Sequence, residues 1–240
     1  MLHLFSKKQP PVVCDERLSH IAFIMDGNGQ WAKRRALPRK AGHVEGAATF
    51  KKVVRWCQDM GIKHITVYAF STENWKRPAE EVEGIMKLLA QYLDEADKMA
   101  QREKTAIRFL GDISMLDASL ATHARDIEAR SAIYTDSTLQ IALSYGGRAE
   151  IVHAVNALIA EGKTTVTEQD ISAHLYTANL PDPDLVIRTG GEVRTSNFLM
   201  WQSAYAEYVF TKTLWPDFSR KELEHIVAGF MQRHRRFGGV

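Results

Sequence analysis

Few of the usual signatures of protein function are present in this 240-residue chain. It has only two cysteines, Cys14 and Cys57, which give neither a metal-binding spacing nor a disulfide framework and are expected to be reduced thiols in a cytosolic protein. Its formal net charge is +2, so there is no bulk cationic field of the kind nucleic-acid binders use, and basic residues can act only by local clustering. No apolar run approaches the length of a membrane span. The amino terminus, MLHLFSKKQPPVVC, is broken by Lys7 and Lys8 and is no secretory signal. There is no GxxxxGK(S/T) loop, no three-glycine dinucleotide fingerprint, no serine elbow, no HExxH and no Cys/His cluster, which leaves nucleotide binding, serine hydrolysis and zinc chemistry without support.

What is present begins with HIAFIMDGNGQWAKRR, His20 to Arg35. Ile21 to Met25 are too few for a helix core and suit a buried strand ending at Asp26-Gly27-Asn28-Gly29. A carboxylate at a strand end, two glycines that free backbone N–H groups, and Lys33, Arg34, Arg35, Arg39 and Lys40 behind them suggest a Mg²⁺ ligand beside phosphate-holding cations. Asp-Gly-Asn-Gly is also hairpin chemistry. The helical pattern and five cations that follow argue against a second strand.

Residues 1–17 read as a flexible leader and 18–240 as one domain. Further buried strands are expected at His64 to Phe70, Thr105 to Gly111, Leu139 to Leu143, Leu185 to Ile187 and Tyr205 to Phe210. Helices are expected over Gly42 to Met60, from Pro78 through Met99, Leu116 to Ile133, after Gly147 carrying Ile151, Val152, Val155, Leu158 and Ile159, around Thr167 to Tyr176, and Lys221 to Arg233. The alternation predicts an α/β fold, a mainly parallel sheet with helices on both faces. The strand ends at Asp26, Ser71, Tyr145 and Arg188 should then meet at one edge.

That edge would gather Arg39, Arg77, Arg188 and Arg194, with Asn28, Ser71, Asn74 and Ser196 as neutral partners and Asp26, Glu73 and Glu207 as carboxylates. Four arginines exceed what one phosphoester needs, so two anionic groups, or a diphosphate on each of two substrates, are expected. His43 is a candidate general acid or phosphate donor, or a helix cap. Trp31, Trp75 and Phe70 could wall an apolar entrance or be ordinary core aromatics.

From His20 to Gly239 the sequence resembles the cis-prenyltransferases, most closely the bacterial undecaprenyl diphosphate synthases. The motifs are HIAFIMDGNGQWAKRR with AGHVEGA, YAFSTENWKRP, SYGGR, DLVIRTGGEVRTSNFLMWQ with AYAEYVF and WPDF, and RRFGG, in the family's order. The resemblance implies condensation of isopentenyl diphosphate onto farnesyl or another allylic diphosphate with cis double bonds, and an apolar tunnel beside the helix of Val82 to Met99. It assigns Mg²⁺ to Asp26 and Glu207. Gly27, Asn28, Gly29, Gln30, Trp31, Arg39 and His43 fall on the allylic side, Arg188, Arg194, Thr195 and Ser196 on the isopentenyl side. Ser71, Thr72, Glu73, Asn74, Trp75 and Arg77 form a mobile loop organising both. Asn74 is taken as orienting, with the departing diphosphate accepting the proton, because an amide is a very weak base. A homodimer is implied, with Arg236 and Gly238 reaching the partner's site, together with a cytoplasmic location and transient contact with the inner membrane face for product release.

Four positions depart from the family pattern: Gln30 stands for an arginine, Ser144 for an asparagine, Val193 for a histidine found in some members and Thr195 for an aliphatic residue. A phosphatase using Asp26 as nucleophile would want a second carboxylate two residues on, where Asn28 stands. A catalytically silent prenyltransferase subunit would lack Asp26 and the Glu73 to Arg77 motif, which are present.

Overall fold

Apolar runs with little polar interruption account for the strands. The computed structural model describes residues 13–233. Among these, six strands form one sheet: β1 (His20–Ile24), β2 (His64–Ser71), β3 (Thr105–Leu110), β4 (Ser137–Tyr145), β5 (Leu185–Arg188) and β6 (Glu207–Phe210). Every pairing is parallel and the order is β3-β4-β2-β1-β5-β6. Central strands covered on both faces must be apolar on both, which is why β1 is buried at all five positions.

The helices are α1 (Asn28–Arg34), α2 (Arg39–Asp59), α3 (Ala79–Glu103), α4 (Ala118–Ser131), α5 (Gly147–Ala160), α6 (Glu168–His174) and α7 (Arg220–Met231). The larger core lies on one face of the sheet, where Ile21, Phe23, Val67 and Ile141 meet Val53 of α2, Leu93 of α3, Ile127 of α4 and Val227 of α7. The other face carries Ala22, Ile24, Val186 and Phe198, and α5 and α6 pack together through Ala154, Leu158, Ile171 and Leu175. Among the described residues no helix is long and apolar enough to cross a membrane.

Two expectations change, and α5 shows a facing of its own. Asn28 and Gly29 lie inside α1, not in a turn, because Gly27 adopts φ +107° and caps the helix before it. In α5 the inward residues are Gly147, Glu150, Ala154 and Leu158, whereas Val152 and Ile159 are exposed. The inward face of α5 meets buried polar groups: Glu150 accepts hydrogen bonds from Tyr145 and Gln202. Of the expected leader, residues 13–17 are tied to the body, since Cys14 N–H donates to Met60 O and Arg17 Nη1 to Met231 O. Residues 1–12, with Arg236 and Gly238 of the tail, lie outside the described residues.

The AGHVEG stretch sets how α1 sits on α2. A Cβ at Gly42 would stand 2.0 Å from the main-chain oxygen of Asn28, and one at Gly46 would stand 2.3 Å from Asn28 Oδ1. Only glycine at both positions lets α1 approach this closely, and the approach brings Asn28 to the end of β1.

Candidate active site

Just past β1, the backbone of Asp26 is clamped from two directions. Its N–H donates to Thr189 Oγ1 (3.0 Å), and its carbonyl accepts from the same hydroxyl (2.8 Å) and from Trp215 N–H (3.0 Å). The carboxylate is thereby fixed at the sheet edge and 40% exposed. Oδ1 accepts from Gly27 N–H at 2.7 Å and Oδ2 from Arg188 Nη2 at 2.7 Å. Arg188 ends β5 and is only 4% exposed. Its other arm donates at 2.6 Å to both Arg194 O and Ser196 Oγ, so one guanidinium fastens the turn after β5 to the end of β1.

The second wall comes from α2 and the start of α3. Glu81 pairs with both Arg39 (3.3 Å) and Arg77 (3.0 Å), holding two cations toward one space. His43 is partly buried beside them. Burial, reinforced by the positive charges of Arg39 and Arg77, lowers its pKa and keeps the imidazole neutral near pH 7.

The third wall is the turn after β2. Residues Thr72–Lys76 form a short 3₁₀ helix whose start is closed by a capping box: Ser71 N–H donates to Asn74 Oδ1 at 3.2 Å. That bond engages the amide oxygen, so the free group of Asn74 is its NH₂, a hydrogen-bond donor. Trp75 anchors the turn from behind, its ring edge-to-face on Phe70 at 5.0 Å and its Nε1–H donating to Ser144 Oγ at 3.0 Å. Asn197 ties the turn to the start of α5. It accepts from Gly147 N–H (2.7 Å) and Arg148 N–H (2.9 Å) and donates to Glu73 (3.0 Å). Burial acts to raise the Glu73 pKa, but hydrogen bonds from Asn197, the backbone, Ser71 and Thr72 outweigh it and leave the carboxyl below its usual range.

Together these walls enclose a cavity of about 570 Å³ lined by Asp26, Gly27, Asn28, Gly29, Arg39, His43, Ser71, Glu73, Asn74, Arg77, Arg188 and Ser196. Tyr68 and Asn197 also line it, and with Glu81 behind the arginines they are the participants that sequence reasoning missed. The signal for Glu81 was its place in the first turn of α3, two residues before Glu83 of the outward face.

Several expected residues stand elsewhere. Of the four strand ends, Tyr145 does not reach the cavity: it is fully buried and its hydroxyl donates to Glu150. Trp31 lies on the surface, donating to Asp217 and stacked under Arg35. Arg194 is exposed and pairs with Glu192, Thr195 donates toward Met200 Sδ, and neither they nor Gln30, Thr72 and Trp75 line the cavity. Glu207 also stands apart from the cavity lining. It opens β6 level with Leu185 of β5 and, through it, with Ile21 of β1, and it pairs with Arg233. No group of three or more His, Cys, Asp or Glu suited to a metal occurs among the described residues.

A second, apolar cavity of about 140 Å³ opens from the first. Met25, Asn28, His43, Ala69, Phe70 and Ile85 line both, and beyond them Phe50, Leu89, Leu93, Ala96 and Leu143 enclose the space between α2, α3 and the sheet. Asn28 Oδ1 and His43 Nε2 are buried here without a hydrogen-bond partner among the described residues. These two orphaned polar atoms lie where the cationic cavity becomes the apolar one.

Comparison with known proteins gives the same chemistry a lineage. The family described as putative undecaprenyl diphosphate synthase matches residues 24–238. An isoprenyl transferase of Fusobacterium nucleatum is 48% identical over 221 residues, covering 92% of this chain and 96% of that one, and one of Thermotoga maritima is 44% identical over 225 residues, covering 92% and 97%. Among solved structures, lavandulyl diphosphate synthase from Lavandula x intermedia in complex with dimethylallyl diphosphate superposes with a TM-score of 0.88 at 32% identity, covering 93% of this chain and all of that one. A probable undecaprenyl diphosphate synthase from Campylobacter jejuni gives 0.79 at 33% identity, covering 94% and 100%. The chain belongs to the undecaprenyl diphosphate synthase family and is a cis-prenyltransferase.

Proposed function

We propose that the enzyme condenses isopentenyl diphosphate onto an allylic diphosphate, farnesyl diphosphate as starter, with each new double bond cis, and that it builds undecaprenyl diphosphate, the precursor of the cell-wall lipid carrier. The observation that carries this is the direct passage from a cavity walled by Arg39, Arg77 and Arg188 into one walled by Phe50, Leu89 and Leu93. A diphosphate fits the first and an isoprenoid tail the second. A structural neighbour was solved with dimethylallyl diphosphate, itself an allylic diphosphate.

In this reading the allylic diphosphate lies against Arg39, the α1 entry at Gly27 to Gly29, and His43, with isopentenyl diphosphate toward Arg188, Ser196 and Arg194. Ionisation of the allylic C–O bond leaves a diphosphate anion and an allylic cation. Arg39 and Arg77 stabilise the anion, and a neutral His43 adds no charge to repel the cation. Asn74 orients through its NH₂, and the departing diphosphate takes the proton lost from the isopentenyl unit. Asp26 suits Mg²⁺, being a partly exposed carboxylate with oxygens still open to further contacts beside a phosphate-sized space, and Mg²⁺ is commonly held by one carboxylate plus substrate phosphates. When bound, the ion supplies charge that stabilises the leaving group. A homodimer with Arg236 and Gly238 crossing to the partner belongs to the same proposal, supported by the family match running to residue 238.

The test is a product assay with Mg²⁺, farnesyl diphosphate and labelled isopentenyl diphosphate, chain length being read after dephosphorylation. A ladder ending near undecaprenyl, abolished by chelation and by Asp26→Ala, is the expected result. Release of inorganic phosphate without elongation would mean phosphatase chemistry, and no turnover would mean a silent subunit.

A further inference from the structure

Asn197 stands in the turn after β5, directly behind Ser196, and lines the polar cavity with it. Both residues are held at positive φ, +51° for Ser196 and +63° for Asn197. Asparagine is among the few side chains that tolerate this region. Its Oδ1 accepts from Arg148 N–H (2.9 Å) and its main-chain oxygen from Gly147 N–H (2.7 Å), so the residue closes the first turn of α5. With Oδ1 engaged there, Nδ2 is the end that faces the turn after β2, where it donates to Glu73 Oε1 at 3.0 Å.

The surroundings make room for that contact. A Cβ at Gly146 would stand 2.6 Å from Thr72 Oγ1 and 2.8 Å from Asn197 Nδ2, so the bare backbone of Gly146 is what lets the two turns approach. Tyr68 stacks on Phe198 (4.5 Å), and Arg188 fastens Arg194 O and Ser196 Oγ, so the chain on which Asn197 stands is anchored from both sides. The 3₁₀ turn Thr72–Lys76 is short, and its Glu73 and Lys76 are exposed. Glu73 precedes Asn74, whose Oδ1 is already held by Ser71 N–H, so whatever holds Glu73 also sets where the Asn74 NH₂ points.

We propose that Asn197 is a positioning residue for the condensation: by donating to Glu73 it holds the Ser71–Arg77 turn against the cavity and ties the Asn74 amide to the turn that carries Ser196. It acts through Glu73 and Asn74, not on the reacting atoms. The catalytic consequence rests on the prenyltransferase reading, whereas the contact itself can be followed without turnover.

The experiment exchanges donor and acceptor. Asn197→Asp keeps an oxygen for Arg148 N–H and places a negative charge at the positive end of α5, so the fold is retained, but the donor facing Glu73 becomes a carboxylate. Loss of a charge-assisted bond together with repulsion at this distance should lower kcat about 30-fold. In Asn197→Asp/Glu73→Gln the bond is remade in the opposite direction, and kcat should recover about tenfold over Asn197→Asp, where independent effects would instead multiply. KM for the allylic diphosphate, placed at Arg39 away from this contact, should change less than kcat. Melting temperatures should agree within about 3 °C. Trypsin cleavage after the exposed Lys76 reports release of the turn; it should be about tenfold faster in Asn197→Asp and return toward the wild-type rate in the double variant. An Asn197→Asp enzyme with wild-type kcat and wild-type cleavage overturns the proposal. So does a double variant no faster than Asn197→Asp, which would give the Glu73 carboxylate a direct role on substrate or metal. A change confined to KM for isopentenyl diphosphate would overturn it too, leaving Asn197 to serve Ser196 alone. Failure of the prenyltransferase reading would show separately, as no elongation by the wild type while the cleavage rates still follow the exchange.

Discussion

Replacing Arg188 by lysine keeps the charge beside Asp26 but removes the fork. The guanidinium now makes three short bonds, to Asp26 Oδ2, Arg194 O and Ser196 Oγ, from two nitrogens set in one plane. An ammonium is a single point and can keep the bond to Asp26 while losing the two that hold the turn. Those two charge-assisted bonds are worth about 1.5–3 kcal/mol each, yet Arg194 and Ser196 are exposed and water replaces much of what is lost, so the net destabilisation should be about 1–2 kcal/mol. For a chain of this size that is a fall in Tm of about 2–8 °C. On the proposed placement of isopentenyl diphosphate at Ser196, activity should suffer more, because the freed turn no longer presents that hydroxyl. We expect kcat/KM to fall about 100-fold, equivalent to ~2.7 kcal/mol, with KM for isopentenyl diphosphate rising more than KM for the allylic substrate. Thermal melting and steady-state kinetics with each substrate varied separate the two effects. A kcat/KM within threefold of wild type, or equal changes in both KM values, would refute the assignment of Arg188 as the fastener of this turn.

Three further outcomes follow from the same geometry. His20 is buried between Pro181 O (2.7 Å) and Thr66 Oγ1 (2.7 Å), and burial lowers its pKa to about 4. The native state therefore binds fewer protons than the unfolded chain between about pH 6.5 and 4, and stability present above pH 6.5 is lost as pH falls; urea titrations should show about 2 kcal/mol less stability from this residue at pH 5 than at pH 7.5, a loss that His20→Gln removes. Gly46→Ala drives a methyl group to within 2.3 Å of Asn28 Oδ1; kcat/KM should fall at least about tenfold for a stability loss of about 1–3 kcal/mol, and an unaltered KM for the allylic diphosphate would count against Asn28 as part of that site. Ala96→Trp fills the outer end of the apolar cavity and should shorten the product without slowing the first condensation, whereas a full-length ladder from this variant would place the tail elsewhere.

The sheet was legible in the sequence because parallel strands covered on both faces must be apolar throughout, and Ile21 to Met25 or Leu185 to Ile187 have few other readings. The edge was legible for the same reason, since all-parallel strands end together and Asp26, Ser71 and Arg188 had to meet. What escaped depends on side-chain direction and register, which local composition does not carry. Tyr145 ends a strand yet turns to Glu150 on the opposite side, and Glu207 lies at the start of β6, so its offset from Asp26 is set by pairing with β5. In α5 the inward face meets Tyr145 and Gln202 through a buried carboxylate, a facing that its run of apolar residues does not reveal. Glu81 escaped because a glutamate in a first helical turn is ordinary dipole chemistry until Arg39 is seen against it.

The site is graded in polarity along one direction. Fixed charges, Asp26, Arg188, Arg39 and Arg77, surround one end; neutral polar groups, Asn28 and His43, hold the middle; Phe50, Leu89 and Leu93 close the other end. Leaving Asn28 Oδ1 and His43 Nε2 buried and unpartnered costs about 1–3 kcal/mol each, which a fold does not bear in two adjacent places without compensation. The depressed pKa of His43 explains the form that compensation takes. A protonated imidazole at the joint would repel the allylic cation formed beside it, and a carboxylate there would trap it. On the proposed reading only donors can meet the diphosphate end, the His43 ring N–H or the Asn28 NH₂, and neither brings a charge that would repel or trap the carbon at the boundary.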